Sequence, residues 1–382
     1  METSKKHLVL VAGEASGDLH AAHLVDALKT LDPTLSFSGL GGAKMRESGV
    51  EIYYELAKQG IVGFGEVVKH YPQLKKAFHL ILKKIDQTKP VAVILVDYPG
   101  FNLRLARELK KRKIKVIYYI SPQIWAWKEN RVGLIKEVVD RMLVLFEFEQ
   151  KLYAKHGIDV FFAGHPLVDT ISIKTSKAKF LEQIGFSDYK LTIGLLPGSR
   201  EKEVERHLPI MLEAALILNK EFPMIQFLII KAPTISPGQM VKDLDDSEIQ
   251  NIKLVGADNY AAINACDLCM VASGTATLET ALLRKPMVVV YKTSLLTWSL
   301  AKLFIKIPYI GLVNIMAGKQ IVPECLQFQA TGGEIAQELK NIFTNEPKLA
   351  DIKYELEQVK KSLGPPGASE RAAKEILRVV SA

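Results

Sequence analysis

Short apolar runs alternate with helical stretches along this chain from Leu8 to about Phe304, and that alternation restricts the fold more than any other feature. Strands are expected at Leu8–Ala12, Leu35–Leu40, Val91–Val96, Lys115–Ile120 and Met142–Phe146, then at Thr192–Leu196, Ile225–Ile230, Ile252–Val255, Leu268–Ala272 and Met287–Tyr291. Helical spacing fills the gaps, notably at Ala15–Leu31, Pro72–Ile85, Leu103–Arg112, Glu201–Lys220 and Leu295–Phe304. Strand-helix alternation of this kind predicts parallel sheets with crossover helices. The rhythm breaks once, at Gly164–Asp169 and the Lys-rich stretch Ser172–Lys179. A chain of 382 residues also exceeds one core, since domains hold about 100–200 residues. Two Rossmann-like, doubly wound α/β domains facing a cleft are therefore expected, one over residues 1–170 and one over 171–345, followed by C-terminal helices at 346–382. Such folds bind ligands at the carboxyl ends of their strands, so the strand-to-helix turns are the places to search.

The first turn, Gly13-Glu-Ala-Ser-Gly-Asp18, does not fit a dinucleotide fingerprint, because its glycines fall at i and i+4. Gly13 and Gly17 let the backbone approach a ligand, with Glu14 and Ser16 at hand; a helix start capped by Ser16 or Asp18 explains the turn equally well. Asp97 follows the all-apolar run Val91–Val96, where partial desolvation raises a carboxyl toward the working range of a base. Pro99 and Gly100 separate it from the next expected helix, which argues against a cap. Further on, Trp125 and Trp127 offer either a platform for a sugar or acyl chain or an ordinary buried contact. In the second half, Pro197-Gly-Ser-Arg200 leads into a long helix, and Gly198, Ser199 and Arg200 suit a phosphate at its N-terminus. A matching turn supplies Ser273, Gly274, Thr275 and Thr277 as phosphate donors, with Glu279 one helical turn further to accept from ribose hydroxyls. Together the two turns point to a diphosphate carrying a nucleoside.

Charge and cysteine content narrow the partners. The 50 Lys and Arg against 42 Asp and Glu leave a net +8, which favours an anionic partner, whether nucleic acid, membrane or phosphorylated substrate. Three cysteines exclude a disulfide scaffold, and the Cys266/Cys269 pair lacks the further ligands of a zinc site. Leu8–Ala12 is too short for a secretory signal, and no charge-free stretch reaches the ~20 residues of a spanning helix. The stretch Pro72–Ile85 aligns Leu74, Phe78, Ile81, Leu82 and Ile85 on one face flanked by Lys75, Lys76, Lys83 and Lys84. That pattern suits first a crossover helix packed on the sheet, and after it an interfacial helix on a membrane. No basic stripe is interleaved with aromatic residues as a nucleic-acid groove would be.

The turns, in this order, resemble those of the lipid-A-disaccharide synthase family: Val11–Asp18, Gly39–Gly42, Gly65–Val67, Asp97–Asn102, Ser121–Trp127, Gly164–Pro166, Leu196–Arg200, Ser273–Glu279 and Pro308–Asn314. Gly100 and Glu147 depart from the family's more frequent Asp and Pro. The resemblance implies a GT-B, inverting UDP-sugar transferase that moves 2,3-diacylglucosamine from its UDP donor to 2,3-diacylglucosamine 1-phosphate (lipid X). It implies Asp97 as base, Glu14 and Ser16 as its neighbours, and Asn314 as a further active-site group. UDP would be held by the Arg200 and Ser273–Thr275 turns with no metal or other cofactor. A homodimer, a tail that returns to the first domain, and peripheral attachment of the Leu74, Lys75, Lys76 and Phe78 surface to an anionic membrane at the cytoplasmic face are implied as well, with no role for nucleic acid. The rivals are a UDP-sugar 2-epimerase, another UDP-glycosyltransferase, or a non-catalytic nucleotide-sugar sensor.

Overall fold

The apolar runs form two all-parallel sheets in a computed structural model that describes residues 6–56, 64–122, 131–295, 298–299 and 307–381. The first contains β1 (His7–Ala12), β2 (Ser36–Gly41), β3 (Glu51–Glu55), β4 (Ala92–Val96), β5 (Val116–Tyr119), β6 (Arg141–Val144) and β7 (Val160–Phe162). Their spatial order is β3-β2-β1-β4-β5-β6-β7. The second contains β8 (Thr192–Leu196), β9 (Gln226–Ile230), β10 (Ile252–Val255), β11 (Leu268–Ala272), β12 (Met287–Tyr291) and β13 (Glu324–Leu326), in the order β10-β9-β8-β11-β12-β13. Each order reverses once, between β1 and β4 and between β8 and β11. Ala12 lies beside Val96 in the first sheet and Leu196 beside Val271 in the second, so the turns after both members of each pair leave from one level.

The central strands are buried throughout, as continuous apolar runs covered on both faces require. Strands β3, β7 and β13, which the sequence does not announce, are edge strands of five residues or fewer and only partly covered. Helix Ala15–Leu31 buries Ala21, Leu24, Val25 and Leu28, one stripe of a 3.6-residue repeat. The helix expected from Pro72 spans Phe64–Thr88, with Pro72 inside it.

The chain divides into two compact units, Met1–Asp169 with Leu363–Ala382, and Thr170–Ser362. The expected boundary at residue 345 is thereby shifted. Helix Glu346–Ser362 stays with the second unit because Ile352, Leu356 and Val359 are buried in its core. The return begins at Leu363, whose carbonyl accepts from the His165 amide at 2.8 Å. Asp169 then caps helix Ala368–Ser381 by accepting from the amides of Gly367 (2.6 Å) and Ala368 (3.0 Å). Arg371 ties the same helix to the Ala163 carbonyl at 2.9 Å, and Arg141 pairs with Glu375 at 2.6 Å.

Asp18 has a role the sequence leaves open. The N-cap position of its own helix belongs to Glu14, so neither Ser16 nor Asp18 caps it. Asp18 is buried and instead gathers the amides of Gly42 (2.7 Å), Lys44 (3.0 Å) and Met45 (3.2 Å), fixing the start of helix Ala43–Glu47 after β2. Asp18→Ala strands these donors and is expected to destabilise the first unit by about 2–4 kcal/mol. Urea unfolding measures the loss, and hydrogen exchange should show the amides of Gly42, Lys44 and Met45 losing protection first.

Candidate active site

In the first unit the reversal brings the turns after β1 and β4 together. The β4 turn departs from ordinary backbone: Asp97 (φ 47°) and Tyr98 (φ 45°) both adopt left-handed conformations. Such a conformation costs roughly 1–2 kcal/mol per non-glycine residue, so the surroundings must impose it. The Asp97 amide donates to the Tyr119 carbonyl at 3.0 Å. Its carbonyl accepts from the Tyr118 hydroxyl at 2.6 Å and from Asn102 Nδ2 at 2.8 Å. Asn102 Nδ2 also reaches the Val96 carbonyl at 3.2 Å. Tyr98 lies across Gly13, where a Cβ would stand 2.1 Å from the Tyr98 Cδ1, so only glycine fits beneath the ring.

Helix Pro99–Lys111 begins two residues after Asp97, earlier than the sequence predicts. Asp97 is still not its cap. That position falls on Tyr98, without any side-chain cap bond, and the amides of Phe101 and Asn102 donate to the Tyr98 carbonyl at 3.2 and 3.0 Å. Burial, and after it the negative charge of Glu14, push the Asp97 carboxyl up to about 7, against a smaller opposing contribution from the Tyr98 amide. A carboxylate so placed is suited to accept a proton near neutral pH. Ser16 sits exposed in the first turn of helix Ala15–Leu31.

In the second unit a cavity of about 490 Å³ opens at the carboxyl ends of β8, β9, β10 and β11. This lies within the range of small-molecule sites, about 300–1,000 Å³. Gly198, Ser199, Ser273, Gly274, Thr275 and Glu279 all line it, so the two phosphate-suited turns do meet. Burial raises the Glu279 carboxyl above its ordinary range, while the Tyr260 hydroxyl donates to it at 3.3 Å. His207 is buried beneath the first turn. Its Nε2 accepts from the Lys292 amide and its Nδ1 donates to the Pro197 carbonyl, each at 3.0 Å, and burial lowers its pKa, so it is held neutral.

Several assigned residues are placed differently from expectation. Arg200 and Thr277 do not line the cavity. Arg200 donates to Glu203 Oε1 at 2.7 Å, and Glu203 Oε2 accepts the Ser199 amide at 3.0 Å. A resident carboxylate thus occupies the donors that suit phosphate. Thr277 is buried with its hydroxyl on the Gly274 carbonyl at 2.8 Å. Asn314 is buried and donates to the Val322 carbonyl (2.9 Å) and Glu324 (2.8 Å), while accepting from Ile321 (2.9 Å) and Val322 (3.0 Å). Those four bonds use its whole amide, so it braces the chain before β13 rather than meeting a substrate. Glu324 also accepts from Ile310 and Gly311, and Ser273 donates to Ile310 at 3.1 Å, which connects this brace to the cavity rim.

Leu74 and Phe78 are half-buried against the first unit's core, Phe78 edge-on to Phe101 at 5.5 Å. The apolar stripe is therefore occupied by the sheet, and Lys75 and Lys76 remain exposed beside it. Trp125 and Trp127, the glycine-rich segment 60–63 and most of the helix expected at Leu295–Phe304 lie outside the described residues. The sequence missed Thr234, Asn259 and Tyr260 as cavity residues. The ends of β9 and β10 were the available clue, but their turns carry no motif. Among the described residues, no group of three or more His, Cys, Asp or Glu side chains is arranged to hold a metal ion.

Two doubly wound units, each reversing its strand order once, have the GT-B architecture. The fold is similar to that of the Staphylococcus aureus MnaA–UDP co-structure, with a TM-score of 0.67 at 12% identity, covering 98% of this chain and 97% of that one. It is also similar to the calicheamicin glycosyltransferase CalG4, with a TM-score of 0.64 at 10% identity and 99% of each chain covered. A sequence profile described as lipid-A-disaccharide synthetase matches residues 8–378. The lipid-A-disaccharide synthase of Syntrophus aciditrophicus (strain SB) is 42% identical over 370 residues, 97% of either chain. The chain belongs to the lipid-A-disaccharide synthase family.

The raised Asp97 carboxyl also affects stability. Between about pH 4 and 7 the folded protein holds a proton that the unfolded chain has lost, so this group's contribution to stability falls as pH rises through that window. Asp97→Asn removes the titration. Its Tm should exceed that of the unaltered protein by more at pH 8 than at pH 5, as read by calorimetry.

Proposed function

We propose that Asp97 is the general base of an inverting transfer and that the cavity beside β8 and β11 receives the UDP of the donor. Membership of the family makes the chain a hexosyltransferase of lipid A disaccharide synthesis acting on a UDP-sugar. In our reading the donor is UDP-2,3-diacylglucosamine and the acceptor is lipid X. The acceptor's 6-hydroxyl oxygen attacks the anomeric carbon as its proton passes to the Asp97 carboxylate. The bond from that carbon to the diphosphate breaks, with its electron pair left on the UDP oxygen. Attack opposite the leaving group gives the β-1,6 linkage. Burial, and after it the negative charge of Glu14, keeps the base's proton affinity high, and Ser16 stands at the same turn as Glu14.

The observation that carries this reading is the Asp97 carboxyl at the end of β4, near neutral in pKa and excluded from capping the adjacent helix. For UDP, the supporting features are the paired turns, the volume of the cavity, and Glu279 placed to accept from ribose. Arg200 becomes available to diphosphate when Glu203 releases it. Tyr260 keeps Glu279 directed within the same cavity.

Asp97→Asn is expected to reduce turnover by about 10²–10⁴-fold while UDP binding measured by calorimetry is retained. Activity of the unaltered protein should rise with pH through about 7, and this limb should vanish in the variant. UDP release should require both acylated substrates. Release from donor alone would favour an epimerase or a hydrolytic reading.

No helix among the described residues is long and apolar enough to cross a membrane. Acylated substrates nevertheless demand access to a lipid surface, and we assign contact to the exposed Lys75 and Lys76 rather than to the packed Leu74 and Phe78. The double change Lys75→Gln, Lys76→Gln should weaken binding to phosphatidylglycerol-containing vesicles roughly 10–30-fold, at about 1 kcal/mol per lysine. Flotation assays with neutral vesicles should show no such difference.

A further inference from the structure

The left-handed pair at Asp97–Tyr98 is held from behind by two side chains that face away from solvent. Asn102 is fully buried, and its single amide group spans the carbonyls of Val96 (3.2 Å) and Asp97 (2.8 Å), with Val11 at 3.4 Å. It therefore joins the last residue of β4, the first residue of the turn and the neighbouring strand β1. Tyr118, fully buried on β5, donates its hydroxyl to the same Asp97 carbonyl at 2.6 Å. That oxygen receives both side chains, and its orientation determines where the Asp97 peptide plane and side chain point.

The consequence concerns the helix that follows. A carboxylate just before a helix ordinarily turns onto the free amides of the first turn, which stabilise its charged form and lower its pKa. Here the first turn offers little: Pro99 has no amide hydrogen and the Phe101 amide donates to the Tyr98 carbonyl, while the Asn102 amide makes the ordinary first bond of the helix to the same oxygen. At this helix start the carboxylate is met by the amide of the N-cap residue, Tyr98. Gly13 completes the arrangement by leaving room for the Tyr98 ring.

We infer that Asn102 is a positioning residue for the transfer reaction, seconded by Tyr118: it holds the Asp97 peptide so that the carboxylate does not turn onto the amides of the first helical turn and remains available to the acceptor hydroxyl. This inference rests on the reading of Asp97 as the base. The titratable groups that face Asp97 are Glu14 from the turn after β1, Tyr98 beside it and Tyr118 from β5; Tyr153 and Arg131 act in turn on Tyr118. None of these is removed by changing Asn102.

The test is the pH dependence of kcat for Asn102→Ala and Tyr118→Phe, measured on the full chain with both acylated substrates. Both variants should lose kcat, Asn102→Ala by about 10- to 100-fold and Tyr118→Phe by less, with donor KM and the Kd for UDP unchanged. The acid limb of the kcat profile should move to lower pH as the released carboxylate finds helix amides. A fall in kcat with the acid limb fixed at its original pH, or unaltered kcat in both variants, would overturn the inference. If Asn102→Ala does not fold, Tyr118→Phe keeps the ring and its packing and decides the matter alone. Asp97→Asn in the same assay separates the two levels. Retained turnover there removes the base assignment itself, whereas lost turnover together with a fixed acid limb in the Asn102 and Tyr118 variants removes only the positioning role.

Discussion

The arrangement of the candidate site depends on the reversal of strand order within an all-parallel sheet. Parallel neighbours cannot be joined by tight turns, so each connection must cross a face of the sheet, and a change of direction sends successive crossovers to opposite faces. Between β1 and β4, and again between β8 and β11, this leaves the carboxyl ends uncovered by a connecting helix. The exposed peptide groups and helix starts at those edges are the raw material of the site. Asp97 and Glu14 share one reversal, and Ser199, Ser273 and Glu279 share the other.

Each reversal is refined by local constraints of a different kind. At the first, a buried amide and a phenol hold two residues in an unfavourable backbone region, and a glycine makes space for the ring that results. At the second, polar groups bond to one another: Glu203 accepts from Arg200 and the Ser199 amide, and Glu279 accepts from Tyr260. On the reading proposed above, a nucleotide entering this cavity exchanges hydrogen bonds with Glu203 and Tyr260 rather than meeting bare donors.

The central strands were legible because burial on both faces leaves long apolar runs, as in Val93–Val96 and Val288–Val290. Edge strands such as Val160–Phe162 were not, since three residues and partial cover leave little pattern. Asp97 could be singled out by its position after an apolar run, but its left-handed backbone could not, because Pro99 and Gly100 suggest a loose turn where a helix in fact begins at once. Lys75, Phe78 and their neighbours show the limit of amphipathic spacing: the same period describes a helix on lipid and a helix on a protein core, and the packing of Leu74 and Phe78 against the first unit's core, Phe101 of the next helix included, decides for the core. Asn314 and Thr277 were polar residues within recognisable motifs, yet their hydrogen bonds go to the protein's own backbone and, for Asn314, to the Glu324 carboxylate as well. Sequence motifs mark residues that matter without stating whether they serve the ligand or the scaffold.

The return of the chain at Leu363 has a consequence for biosynthesis. Helix Ala368–Ser381 packs on helix Ala15–Leu31 and is capped by Asp169, so the first unit includes residues translated after the whole of the second. A nascent chain emerging from the ribosome can finish the second unit while the first still lacks a wall. During that interval the surface of helix Ala15–Leu31 that Ala368–Ser381 will cover is open, and the first unit matures last although it is made first.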